Sequence, residues 1–285
     1  MTNTLNNKFA LIGKNPTTLS LAMHNAAYSA LGLCASYETV NTEDSSYAIS
    51  LLRDGIYKGF SVTIPHKEVI FSYLDSIDKS CLLIGSTNTV VSDKGILRGY
   101  NTDYIGVDLA LQDANYAKWS EPTLFLGTGG ASRAAIYLAL KNGTKELYLY
   151  NRSPERAHRV VNDFREFSDT SFLVVDDSQL ESAFQKAILV FNCTPIGAYN
   201  LTDKDSLPPG TEEFVRDQHV IFDMVTNPNT PLISLAKARN CITISGDRML
   251  LYQAIEQVKI FHGITELPGH VISAMEKALY LELAK

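Results

Sequence analysis

Along the chain, short apolar and β-branched runs alternate with stretches whose apolar residues recur every three to four positions, an order that builds α/β folds. In the first hundred residues, the runs at 9–13, 36–40, 59–63 and 88–92 predict strands. Between them, 21–31 and 47–53 carry helical spacing, and Pro65 suits the first turn of a helix reaching Leu74. Crossovers of this kind favour parallel neighbours. A helix starts near Asp103, the pattern turns polar over 112–122, and a second alternating series follows. It predicts strands at 124–127, 146–150, 172–175, 190–192, 220–223 and 243–245, with helices at 132–142, closed by Gly143, and at 154–164. The last forty residues give two consecutive helices, 249–262 with Leu251, Ile255 and Val258 on one face, and 269–284 with Ile272, Met275 and Leu279. The expectation is two α/β domains, 1–103 plus 248–285 and 104–247, the second a doubly wound parallel sheet and the C-terminal helices returning to the first.

With 285 residues and 45% hydrophobic content, the chain is long enough for two cores. Its net charge of −6 is mild and no Lys/Arg block stands out, so neither nucleic acid nor a membrane surface is an expected partner. A small-molecule substrate fits better, on a monomer or homodimer. Cys34, Cys81, Cys193 and Cys241 are widely spaced and read as reduced, mostly buried thiols. Histidines 24, 66, 158, 219, 262 and 270 show no paired-ligand spacing, so no metal is expected. Residues 1–8 lack the apolar stretch of a signal peptide and no run approaches a membrane span, which points to the cytoplasm.

The strand at 124–127 runs into Gly127-Thr128-Gly129-Gly130-Ala131-Ser132-Arg133 and then a helix, the context that a dinucleotide fingerprint requires and that makes the second domain Rossmann-like. Gly127 permits the tight turn, Gly129 lets main-chain amides approach a pyrophosphate, and the helix N-terminus adds partial positive charge. At the end of the next strand, where NAD enzymes of this fold place an acid, the chain reads Asn151-Arg152-Ser153. Arg152 offers a planar fork to a 2′-phosphate and Arg156, one turn on, adds charge, so NADP is favoured over NAD. Read alone, the two arginines equally well solvate a helix start.

Several segments then occur together: Gly13-Lys14-Asn15-Pro16 with residues 18–25, Ser61-Val62-Thr63-Ile64-Pro65-His66-Lys67, Gly85-Ser86-Thr87-Asn88-Thr89-Val90, and Gly99-Tyr100-Asn101-Thr102-Asp103. Asn192-Cys193-Thr194-Pro195-Ile196-Gly197 and the run from Gly246 to Ala254 follow. In this order they resemble the shikimate dehydrogenases over nearly the whole chain. The resemblance implies NADP-dependent hydride transfer between shikimate and 3-dehydroshikimate, with Lys67 and Asp103 as the catalytic pair. It assigns Thr18 and Ser20 to the substrate carboxylate and Thr63, Asn88 and Gln253 to ring hydroxyls. Thr194, Pro195 and Gly246 join Gly127, Thr128, Gly129, Gly130, Ala131, Asn151, Arg152, Ser153 and Arg156 as cofactor-binding residues. The chemistry is consistent: negative charge grows on oxygen when hydride reaches a carbonyl carbon, and an ammonium oriented by a carboxylate stabilises it. Without the flanking motifs, Lys67 and Asp103 would read as two surface charges, and Thr18 and Ser20 as helix caps.

This chain departs from the family pattern at four places. Thr18 stands where serine is usual, Leu21 where proline is common, Ser61 where asparagine is common, and Thr226 where a tyrosine usually contacts substrate. A related hydroxy acid such as quinate is therefore the alternative substrate. A non-catalytic metabolite-sensing module is less favoured, because Lys67 and Asp103 are both present.

Overall fold

The computed structural model describes residues 7–197, 207, 208 and 210–285. The stretch read above as lacking an apolar leader lies outside the described residues, apart from Asn7 and Lys8. The chain divides into two compact units, between Gly106 and Val107 and again between Met249 and Leu250.

The first unit holds strands β1 (Asn7–Gly13), β2 (Ala35–Asn41), β3 (Gly59–Val62), β4 (Ser76–Ile77), β5 (Thr89–Asp93) and β6 (Ile96–Tyr100). They form one sheet in the order β2-β1-β3-β5-β6-β4. β1 reads as a continuous apolar run because both faces of the sheet are covered. Phe9 and Leu11 enter a cluster with Met23 and Tyr28 of helix Leu19–Ala30 and with Leu251, Val258, Val271, Met275 and Leu279 of the C-terminal helices. Ala10 and Ile12, on the opposite pleat, pack with Ile49 and Leu52 of helix Ser45–Arg53 and with Ile70. The C-terminal helices thus return to the first sheet, as their apolar faces predict.

Two sequence expectations need correction here. Parallel pairing holds for β1 with β2 and β3, but β3 with β5 and β5 with β6 are antiparallel. For β5 and β6 the cause is a two-residue hairpin: Lys94 and Gly95 both adopt left-handed φ, 51° and 81°, which joins the two strands without a crossover. The helix expected from Pro65 to Leu74 is one α-turn, His66–Val69, followed by a 3₁₀ turn, Ile70–Tyr73. β-branched Val69 and Ile70 propagate an α-helix poorly, and the Ser72 hydroxyl donates to the Val69 carbonyl at 3.0 Å, competing with the helical ladder.

The second unit contains β7 (Thr123–Leu126), β8 (Glu146–Tyr150), β9 (Ser171–Val175), β10 (Leu189–Asn192), β11 (Val220–Asp223) and β12 (Ile242–Ser245). All pairs are parallel, in the order β12-β11-β10-β7-β8-β9. This is the doubly wound sheet expected, and the winding reverses between β7 and β10. Phe125, Phe191 and Phe222 lie in register on adjacent strands with ring centroids 4.9 and 5.1 Å apart. Each is fully buried, a contribution of roughly 1.5–3 kcal/mol per ring. Leu124, Leu126, Val190 and Ile221 fill the other face.

All four cysteines are free thiols; Cys81 is buried, Cys193 and Cys241 half-buried and Cys34 exposed. Among the described residues, no helix is long and apolar enough to cross a membrane, and no cluster of three or more His, Cys, Asp or Glu side chains is placed to hold a metal.

Candidate active site

Lys67 is placed by main-chain bonds on either side of it. β3 ends at Val62, and the chain turns so that Thr63 N–H donates to the Ile12 carbonyl at 3.0 Å. The next anchor is His66, fully buried. Its Nε2 lies 2.8 Å from the Thr42 carbonyl, which accepts only, so Nε2 carries the hydrogen and Nδ1 accepts from Ser45 Oγ at 2.6 Å. The Lys67 carbonyl in turn accepts from Thr87 N–H at 2.8 Å.

Held in this way, Lys67 Nζ donates to Asp103 Oδ2 at 2.5 Å, with the two side chains 16% and 4% exposed. Asp103 opens the helix Asp103–Asp113, where main-chain N–H groups favour a carboxylate. Its other oxygen, Oδ1, accepts from Asn88 Nδ2 at 2.8 Å. Asn88 also donates to Thr102 Oγ1 at 2.8 Å and accepts at Oδ1 from Thr102 N–H and Thr89 Oγ1, both at 2.8 Å. Its two N–H donors are thereby committed. Gln253 Oε1 receives only long approaches, 3.3 Å from Asn88 Nδ2 and 3.5 Å from Thr102 Oγ1, so it keeps acceptor capacity for a ligand hydroxyl.

The structure therefore brings Lys67, Asp103, Asn88 and Gln253 into one buried network, although they come from four separate segments. Thr63 is half-buried beside the turn that leads to Lys67. Ser20 is buried in the first turn of helix Leu19–Ala30. Thr18 is that helix's N-cap residue, but its side chain makes no capping bond. Its hydroxyl instead donates to Glu282 Oε1, 264 residues away, at 2.6 Å. Thr102 joins this network and Gln257 donates to the Asn88 carbonyl at 3.1 Å; neither is among the site residues that the sequence points to. A visible signal was present for one of them: Gln253 and Gln257 lie four apart and so share a helix face.

In the second unit, Gly127 has φ +95°, and a Cβ there would lie 3.2 Å from the Thr194 nitrogen and the Cys193 carbonyl carbon. The turn thus needs glycine both for its left-handed conformation and for the approach of the 193–194 main chain. Gly129 is different: it is the N-cap of helix Gly130–Lys141, has ordinary φ, and its Cβ direction is open for at least 4 Å. Thr128 donates its N–H to Asn151 Oδ1 at 3.3 Å, while its buried Oγ1 has no protein partner. An orphaned hydroxyl, an open glycine and a helix N-terminus fit the phosphates of a dinucleotide. Ala131 lies in the first turn of that helix, and Asn151 Nδ2 bonds the Ser153 carbonyl at 2.9 Å. Arg152 and Arg156 are exposed and form no ion pair with another described residue.

Of the remaining cofactor candidates, Gly246 is buried, Thr194 half-buried and Pro195 exposed, and they adjoin a buried polar scaffold. Asp223 ends β11 and accepts from Asn192 Nδ2 (2.8 Å), Thr230 Oγ1 (2.6 Å) and Val225 N–H (3.1 Å). Burial nevertheless pushes its carboxyl above the usual range. Asn192 Oδ1 accepts from Thr194 N–H and Oγ1, which fixes the segment entering Pro195. Gly246 packs against main chain, since a Cβ there would lie 2.4 Å from the Met224 oxygen. Glycine at this position allows that contact.

A doubly wound sheet with an open glycine turn, carried in the same chain as a buried ammonium–carboxylate pair, defines a dinucleotide-dependent α/β oxidoreductase. A family profile described as the shikimate dehydrogenase substrate binding domain matches residues 11–90. The shikimate dehydrogenase (NADP(+)) of Nitrosopumilus maritimus strain SCM1 is 38% identical over 276 residues, covering 95% of this chain and 97% of that protein. A crystal structure of a shikimate dehydrogenase in complex with NADP+ superposes with a TM-score of 0.86 at 32% identity, covering 100% of this chain and 98% of the other. The shikimate 5-dehydrogenase of Thermus thermophilus, in complex with NADP(H) and shikimate, gives 0.82 at 30%, covering 97% and 99%. The chain belongs to the shikimate dehydrogenase family.

Proposed function

We propose that this chain is an NADP-dependent shikimate dehydrogenase that interconverts 3-dehydroshikimate and shikimate. The first unit binds the substrate and the second binds NADP, with Gly127, Thr128, Gly129, Gly130 and Ala131 at the phosphates and Arg152 and Arg156 at the 2′-phosphate. When bound, the nicotinamide supplies or accepts a hydride at the C3 carbon of the substrate. Lys67 Nζ stabilises the negative charge that develops on the C3 oxygen and gives that oxygen a proton; in the reverse direction it takes the proton back. Asp103 holds the ammonium in place, and Asn88 holds Asp103. Gln253 Oε1 accepts from a ring hydroxyl, and Thr63 contacts a second. Thr18 and Ser20 take the carboxylate, which requires the substrate to replace Glu282 at the Thr18 hydroxyl.

The observation that carries the reading is the 2.5 Å Lys67–Asp103 pair, with Asn88 and Gln253 closing around it in a family member. The test is steady-state oxidation of shikimate with NADP, read by the absorbance of the reduced nicotinamide and repeated with quinate and with NAD. Shikimate with NADP is expected to give the largest kcat/KM. Lys67→Ala is expected to lower kcat by about a hundredfold or more with little change in KM for shikimate, because its stabilisation is realised in the transition state. An unchanged kcat removes Lys67 from the mechanism.

A further inference from the structure

Gln257 is 2% exposed and all four hydrogen-bonding positions of its amide are occupied. Nε2 donates to the Asn88 carbonyl and to Thr89 Oγ1, each at 3.1 Å. Because a carbonyl accepts only, this orientation of the amide is fixed. Oε1 then faces two donors, Ser61 Oγ at 2.8 Å and His24 Nε2 at 3.3 Å.

The bonds have a direction that ends at the catalytic pair. With its lone pair engaged by Gln257, the Thr89 hydroxyl turns its hydrogen onto Asn88 Oδ1. Asn88 Oδ1 thus accepts twice, from Thr89 and from Thr102 N–H, which polarises the amide and strengthens donation from Nδ2 to Asp103. Gln257 therefore grips Asn88 twice, directly at the main chain and through Thr89 at the side chain. We infer that Gln257 is a positioning residue of the reaction, acting through Thr89 and Asn88 on Asp103 and so on Lys67. The inference rests on the catalytic reading of Lys67 and Asp103.

Thr89 gives the cleanest test. Thr89→Val keeps the volume and deletes the hydroxyl, whereas Thr89→Ser keeps the hydroxyl and deletes a buried methyl group. A packing role makes serine the more damaging change; a positioning role makes valine so. The expected result is a fall in kcat of about tenfold for Thr89→Val, recovered to most of the wild-type rate in Thr89→Ser, with KM for NADP unchanged in both. Both changes should lower the urea midpoint, valine by leaving Gln257 Nε2 and Asn88 Oδ1 each one hydrogen bond short and serine by losing a buried methyl group, so the order of the rates is what separates the two roles. Gln257→Met, which fills the site without hydrogen bonds, is expected to lower kcat by a similar factor; should it not fold, the Thr89 pair decides. A kcat for Thr89→Val within twofold of wild type, or a Thr89→Ser rate as low as that of Thr89→Val, overturns the inference. If Lys67→Ala also leaves kcat unchanged, the catalytic reading fails with it; if Lys67→Ala loses kcat, only the role of Gln257 falls.

Discussion

Acidification should weaken the first unit through His24, and the size of the loss follows from its surroundings. The ring is fully buried, stacks on Tyr37 with centroids 4.0 Å apart, donates from Nε2 to Gln257, and has no partner at Nδ1. Loss of solvation lowers its pKa from 6.5 to about 3, with nearby His262 adding to the effect. Between those values the unfolded chain binds a proton that the folded chain does not, so stability is fully present above pH 6.5 and is lost as pH falls. For this one group, the loss from pH 7 to pH 5 is about 2 kcal/mol.

His262 and His219 are also lowered by burial and act in the same direction. The carboxylates held low by hydrogen bonds, including Asp75 and Glu282, lose their contribution only below their ordinary values of 3.8 and 4.5. Asp223 has the opposite sign: its raised value means that acidification favours the folded state. A comparison with His24→Gln cancels all of these, since glutamine still donates to Gln257 and does not titrate. Urea unfolding followed by circular dichroism at pH 7 and pH 5 should show a wild-type loss larger than that of the variant by about 2 kcal/mol. Equal losses in the two proteins would refute the reasoning.

Three substitutions test the second unit. Gly129→Ala projects a methyl group into open space at ordinary φ, so the urea midpoint should barely move, a change within about 0.5 kcal/mol, while NADP affinity measured by titration calorimetry falls about tenfold or more. Gly246→Ala places its Cβ against the Met224 oxygen and should cost about 3 kcal/mol of stability by the same melt. Arg152→Ala should weaken NADP by about tenfold to a hundredfold and leave NAD nearly unchanged, because a charge-assisted fork to a phosphate is worth about 1.5–3 kcal/mol. Equal losses for the two cofactors would reject the phosphate role.

Most of the fold was legible because both sheets bury two faces, so strands such as β1 and β7 read as unbroken apolar runs and their helices as striped ones. Besides the helix expected to reach Leu74, the misread section lies between Leu74 and Tyr100 on either side of β5, which the sequence does predict. There β4 has two residues and β6 alternates buried Leu97 and Gly99 with exposed Ile96 and Arg98, a pattern too short and too polar to stand out. The hairpin signal was one Lys94-Gly95 pair. At the site, Lys67 and Asp103 were found through their flanking motifs, and the coordinates supply the contact between them. What sequence order hides is pairing at long separation: Thr18 with Glu282, and Ser61 with Gln257, lie 264 and 196 residues apart. Ser61, which stands where asparagine is common, donates its hydroxyl to the Gln257 amide oxygen at 2.8 Å.

The first unit is assembled from the beginning and the end of the polypeptide, with the second encoded between them. On a ribosome, residues 107–249 emerge whole and free to fold while the earlier sheet still lacks Leu251, Val258, Val271, Met275 and Leu279 from one of its faces. Gln253 and Gln257 arrive on that same late segment, so the nascent protein acquires the proposed reaction centre and its last hydrophobic layer together. A translation product halted near residue 249 would carry a finished nucleotide-binding fold beside an unsealed, inactive sheet.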